Sequence, residues 1–215
     1  MLIKGRATPL VAEFLGAAIW TFVALVLSET TSVSYFIATS VALAVVLVYM
    51  LFYSVSGAHF NPAITFGMWT ARRITSLRAV AYIVVQLLGG LASWQLYQYF
   101  TNHHIASKTS HWSTSVWLAE VVGTAILAMG VSAALYKTFE ALNAALTIGT
   151  SLFVGVLVAA TASAGYLNPA VALGQRSFSA VYILGPLVGG LIGVNLYYWL
   201  FAAGTPVRVR TIRKK

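Results

Sequence analysis

The 215-residue chain is 60% hydrophobic and only 8% charged, where an ordinary water-soluble domain is about a quarter charged. So little charge cannot cover a water-facing surface, so the medium around most of this protein is lipid, and the absence of cysteine excludes disulfides, thiolate metal sites and thiol chemistry. The formal net charge of +9 would suit a nucleic-acid partner by magnitude alone, but its placement along the chain points to a membrane topology instead.

A helix spanning the roughly 30 Å hydrocarbon core needs about 20 apolar residues. The first such stretch, approximately 9–28, follows Lys4 and Arg6. It is longer than a signal-peptide core and carries Glu13, so it reads as a retained helix. A second stretch covers 34–54.

Segment 54–79 is too polar and too interrupted to span. It contains Ser56-Gly57-Ala58-His59-Phe60-Asn61-Pro62-Ala63. Asn61 is a good N-cap, and Pro62 suits the first helical position, where its missing N–H costs nothing. A helix over 62–71 would be about 14 Å long, half the hydrocarbon core. The third full stretch, 79–101, contains Gly89 and Gly90, whose small size allows close helix crossing. The loop 101–111 holds His103, His104 and His111, which read as solvated residues.

The fourth stretch, 112–136, carries Glu120, and the fifth covers 141–162. Glu29 and Glu140 read as ordinary loop carboxylates. Loop 161–167 then leads into Asn168, Pro169 and Ala170, a second helix start reaching about Gln175. The sixth stretch, 180–203, contains Gly189, Gly190 and Gly193. Trp112, Trp117, Tyr197 and Trp199 lie near span ends and suit the interfacial belt. A basic tail from Arg208 to Lys215 closes the chain.

Repetition organises these elements. Glu13 and Glu120 are 107 residues apart, and so are Asn61 and Asn168, and Gly67 and Gly174. Tyr82, Gly89, Gly90 and Tyr97 match Tyr182, Gly189, Gly190 and Tyr197 at an offset of 100. Each half holds three spans, so the second enters the membrane from the opposite side, and the halves are inverted repeats. The expected fold is an all-α membrane protein with six transmembrane helices and two re-entrant half-helices. It forms one channel domain over 1–215, with repeats at about 1–107 and 108–215. With both ends placed in the cytoplasm, eleven of the thirteen Lys and Arg fall on that side and only Lys108 and Arg176 on the other. That asymmetry follows the positive-inside rule and makes the tail a topological anchor that meets anionic lipid, not a nucleic-acid binder.

An inverted repeat brings its two Asn-Pro-Ala segments face to face at mid-membrane. Irregular backbone is tolerated there where it lines a cavity, and its carbonyls would present a ladder of acceptors. Each Asn would cap its own helix through the side-chain oxygen and leave its amide hydrogens free to orient a small polar molecule. The partial positive charge at both helix starts would disfavour cations and protons. Glu13 and Glu120 are expected to accept hydrogen bonds from the two loops. No catalytic residue, metal ligand or cofactor site is expected.

Ser56 to Ala63 matches the first signature of the aquaporin and glycerol-facilitator family, and Ala164-Gly165-Tyr166-Leu167-Asn168-Pro169-Ala170 resembles the second. The resemblance runs over nearly the whole chain. It implies a homotetramer with one pore per subunit, passive conduction of water and small neutral solutes, and placement in the cell membrane with cytoplasmic termini. It also implies that the His59 carbonyl faces the pore. Family spacing puts the selectivity positions at Val41, Val156, Gly165 and Val171. The usual Arg after the second Asn-Pro-Ala is replaced by Val171, and the Asp of glycerol facilitators by Ala172; Arg176 lies too far along to substitute. The expected filter is apolar and looser than that of a water-specific member. Two other readings carry different tests. A channel mainly for glycerol, ammonia or peroxide would show in a solute panel, and a secondary transporter would show flux coupled to an ion gradient.

Overall fold

The structure is a computed structural model that describes residues 2–109 and 111–201. All regular structure among these residues is helical: α1 Leu2–Thr30, α2 Ser34–Ser56, α3 Pro62–Thr70, α4 Ser76–Thr101, α5 Thr114–Tyr136, α6 Ala141–Ala159, α7 Pro169–Gly174 and α8 Ala180–Phe201. Six of them are long and apolar enough to cross a membrane. The basic tail Arg208–Lys215 lies outside the described residues, as do the side chains of Lys4 and Arg6.

Two boundaries differ from the apolar runs. The first helix begins at Leu2, not near residue 9, with Pro9 inside it. Hydropathy marks where a helix enters lipid, not where its hydrogen bonding starts. The fifth span ends at Ala159, and 160–162 form turns rather than helix. At the other re-entrant bend, α2 runs on to Ser56 and stops at Gly57, whose φ of 89° is a left-handed cap that donates its N–H to the Tyr53 carbonyl.

The packing is the same in the two halves. α1 packs on α2 and α4, and α5 packs on α6 and α8; α2 and α6 also meet. The short helices cross over: α3 lies against α8 and α7 against α4. Glycine makes both crossings possible. A Cβ on Gly190 would run into the Ala63 carbonyl, and one on Gly90 into the Ala170 carbonyl. The backbones of the short helices thus sit directly on α8 and α4.

Both short helices are pinned at their far ends as well. Arg73, just past α3, stacks 3.8 Å over the ring of Tyr198 on α8. Arg176, just past α7, stacks 4.1 Å over Trp94 on α4. The core runs between the long helices and includes Trp20, Val45, Tyr49, Ile64, Leu127, Ile148 and Leu152. Most large exposed apolar side chains, such as Leu43, Leu77, Val84, Leu118 and Leu146, lie on the long helices, as a lipid-facing bundle requires.

Candidate functional site

α3 and α7 begin at fully buried asparagines. The Asn61 Oδ1 accepts from the Ala63 N–H at 2.8 Å, and the Asn168 Oδ1 from the Ala170 N–H at 2.9 Å. Each cap satisfies one of the donors left unpaired at a helix start. The amide ends are engaged too: Asn61 Nδ2 donates to the Leu167 carbonyl at 2.9 Å, and Asn168 Nδ2 to the Phe60 carbonyl at 3.1 Å. Each asparagine therefore holds the opposite loop. This corrects the expectation that both amide hydrogens stay free: one from each side chain is committed. Two loops meeting inside the helix bundle leave carbonyls that must be satisfied, and the opposing amides donate to them.

The loops are tied to buried carboxylates. Glu13 on α1 accepts through Oε1 from Ser56 Oγ (2.6 Å) and His59 N (2.9 Å). Its Oε2 accepts from Phe60 N (2.6 Å) and from Gln86 Nε2 on α4 (2.7 Å). Glu120 on α5 accepts through Oε1 from Ser163 Oγ and from Tyr166 N (3.1 Å), and through Oε2 from Leu167 N (2.8 Å). Both carboxylates are fully buried, a costly placement that several hydrogen bonds offset. The two halves differ in one donor: Gln86 has Pro186 as its counterpart at the 100-residue offset.

His59 is buried, with Nδ1 3.1 Å from Thr65 Oγ1 and its ring edge-on to Tyr82 at 5.5 Å between centroids. Thr65 in turn bonds Gln86. The residues just before the asparagines, Phe60 and Leu167, adopt positive φ of 52° and 53°. Phe60 lies against Gly16 of α1, and Leu167 against Gly123 of α5 and Gly155 of α6. These bulky side chains wedge each loop into the bundle of its own half.

Above this junction lies a cavity of about 250 Å³. Val41 on α2, Val156 on α6, Gly165 in the second loop and Val171 on α7 all line it, together with Trp20, Ala24, Leu152, Tyr166 and Gln175. Thr31, Ser32 and Ser34, from the link between α1 and α2 and the start of α2, also line it. Arg176 is not among the lining residues. Trp20, Ser28 and Gln175 have no signal in the linear sequence that marks them as lining; only helix crossing brings them there. His103, His104 and His111 are exposed in the loop between α4 and α5. Glu29, expected in a loop, sits in the last turn of α1 and pairs with Lys108 at 3.2 Å. The Lys108 backbone N–H also donates to the Arg176 carbonyl at 2.7 Å, so this loop is strapped to the end of α7.

A family model described as "Major intrinsic protein" matches residues 5–198. Aquaporin TIP1-1 of Zea mays is 30% identical over 165 residues, covering 71% of this chain and 66% of the relative. Aquaporin-1 of Mus musculus is 30% identical over 163 residues, covering 69% of this chain and 61% of the relative. The matches thus span less than two thirds of either relative's length. Among solved structures, the X-ray structure of the aquaglyceroporin from Plasmodium falciparum superposes with a TM-score of 0.70. That match covers 90% of this chain and 97% of the other at 23% identity, a likeness of fold.

Proposed function

The chain belongs to the major intrinsic protein family, a family of multi-pass membrane channels and not of enzymes, and from that premise we propose that it is a passive pore for water and small uncharged solutes. The permeant passes the junction of α3 and α7 and the Val-lined cavity above it. The observation that carries this reading is the reciprocal hold of Asn61 on Leu167 and Asn168 on Phe60. It fixes two helix starts against each other at one depth, which is the arrangement a central pore constriction needs.

In this mechanism Pro62, Ala63, Pro169 and Ala170 set the helix starts, and the second amide hydrogen of each asparagine meets the permeant. The partial positive charge at the helix starts opposes cations and protons. Glu13 and Glu120 hold the loops, and the His59 carbonyl contributes an acceptor to the path. Val41, Val156, Gly165 and Val171 form the selectivity constriction. It is neutral and apolar, so passage there is limited by wetting and size, not by a fixed cation.

That constriction supports a second reading, in which a neutral solute such as glycerol, ammonia or peroxide is the main permeant. A coupled transporter fits less well. Its ion site would need a free intramembrane carboxylate, and the oxygens of both Glu13 and Glu120 are already occupied by loop donors. The protein acts as a homotetramer in the cell membrane with cytoplasmic termini, each subunit a single channel domain over 1–215 made of inverted repeats.

Stopped-flow swelling of proteoliposomes under osmotic and solute gradients tests this. Water flux above protein-free vesicles with some flux of glycerol, urea, ammonia or peroxide is expected. Flux that saturates at low substrate or follows an ion gradient would overturn the channel reading. Water passage with exclusion of every solute would overturn the looser filter.

A further inference from the structure

The lining of the cavity contains no Lys, Arg, Asp or Glu among the described residues. Its polar groups are unequal in what they have left to offer. Ser163 Oγ is turned to Glu120, and the Tyr166 hydroxyl is 3.1 Å from Ser177 Oγ. Thr31 Oγ1 accepts from the Val33 N–H, and Ser32 is exposed and Ser34 half-buried. Gln175 is different. It is only 1% exposed, yet it is among the residues that line the cavity, one turn beyond Val171.

Two contacts hold Gln175. Its backbone N–H closes the end of α7 by donating to the Val171 carbonyl at 2.9 Å. Its carboxamide meets Ser28 Oγ of α1 at 2.8 Å through one end. A primary carboxamide has an acceptor oxygen and two donor hydrogens. One end is engaged by Ser28, and the other has no partner among the described residues. Next along the chain, Arg176 stacks over Trp94 and is not among the residues lining the cavity.

We propose that Gln175, held by Ser28, is the specificity-determining residue of this cavity: its carboxamide reads small uncharged solutes bearing hydroxyl or amide groups. The Val residues form the apolar wall and the carboxamide the polar one. A solute with both donors and acceptors exchanges its water for the carboxamide while its carbon face passes Val41, Val156 and Val171. Water also gains from a polar wall, but it keeps bonds to the waters ahead of and behind it and is less sensitive. This rests on the channel reading above.

The test uses the full-length protein in proteoliposomes, with water, glycerol and urea as probes. Gln175→Leu keeps the side-chain bulk and removes the hydrogen bonding. It is expected to lower glycerol and urea permeability by about tenfold, the scale of one lost hydrogen bond, with water permeability within about twofold. Ser28→Ala releases the carboxamide and is expected to lower the same two permeabilities by a smaller factor. The amount of protein inserted in the vesicles and its thermal unfolding in detergent show that each variant is folded. Unchanged glycerol and urea flux in Gln175→Leu would overturn the assignment, as would a parallel fall of water with the solutes in both variants. Wild-type vesicles that conduct water but neither solute also overturn it. Wild-type vesicles that conduct nothing sink the channel reading itself, so the two failures are distinct.

Discussion

The Asn61 side chain reaches across the molecule to the Leu167 carbonyl at 2.9 Å, while its own oxygen caps α3 at 2.8 Å. One residue therefore starts a helix in its own half and holds the loop of the other. Asn168 does the same in reverse. The two helix starts are mechanically one unit.

Because of that reciprocity, Asn61→Ala and Asn168→Ala should not be additive. Each alone removes a cap, about 1 kcal/mol, and a buried cross-loop hydrogen bond of similar size. The second substitution acts on a junction already loosened, so a coupling of about 0.5–3 kcal/mol is expected. Thermal unfolding of both single variants and the double variant in detergent measures it. Additivity within about 0.3 kcal/mol would show that the two halves are held independently.

Glu13→Gln should cost more than Glu120→Gln. The Glu13 carboxylate receives four donors, and the Glu120 carboxylate three, since Pro186 stands where Gln86 would reach it. A glutamine turns an N–H toward groups that are themselves donors. Breaking such a buried set costs about 3 kcal/mol or more. Unfolding temperatures of the two variants, with Gln86→Leu as a milder third, should fall in the order Glu13, Glu120, Gln86. A larger loss at Glu120 would contradict the donor count.

Gly90→Ala and Gly190→Ala should each lower both flux and stability. The added methyl meets the Ala170 or Ala63 carbonyl, a backbone atom with no room to give, so the short helix must shift. Overpacking of this kind costs about 1–3 kcal/mol, and the displaced helix carries an asparagine with it. Swelling assays on reconstituted protein with matched amounts inserted would show the loss. Wild-type flux in either variant would mean that the crossing is looser than its geometry.

Val171→Arg should narrow the cavity and place a cation in it. Glycerol and urea flux should fall by about tenfold or more, with water flux retained to a greater degree. A complementary substitution uses the absence of cysteine from the chain. The parent protein should be indifferent to mercurials, and Val171→Cys should become reversibly blocked. A swelling rate of Val171→Cys that is unchanged by mercury would remove Val171 from the conducting path.

Much of the fold was legible in one dimension. Six apolar runs of membrane length imply six spans, because lipid tolerates only helices there and the length of a span is set by bilayer thickness. Asn61-Pro62 and Asn168-Pro169 are local helix-start signals, and helices begin at both prolines. Boundaries were less legible, as the seven residues of α1 before residue 9 illustrate, since helical hydrogen bonding continues beyond the apolar run. The cavity was legible only at positions transferable from a resemblance. Ser28 and Gln175 lie 147 residues apart and have no periodic or local signature linking them.

What the sequence by itself determined, then, is the medium, the number of spans and where the two short helices start. Each depends on properties of contiguous residues: transfer to lipid, helix length and end capping. What only the tertiary structure decided is which groups are left over to act. The asparagine amides, free in a single half, are each half-committed once the second half supplies a carbonyl. Arg176, the cation nearest the second short helix in the sequence, is taken up by Trp94, and the uncharged Gln175 lines the cavity beside it. The physical reason is that hydrogen-bonding capacity is settled by whatever lies within about 3 Å, and in an interdigitated inverted repeat those neighbours come from the other half of the chain.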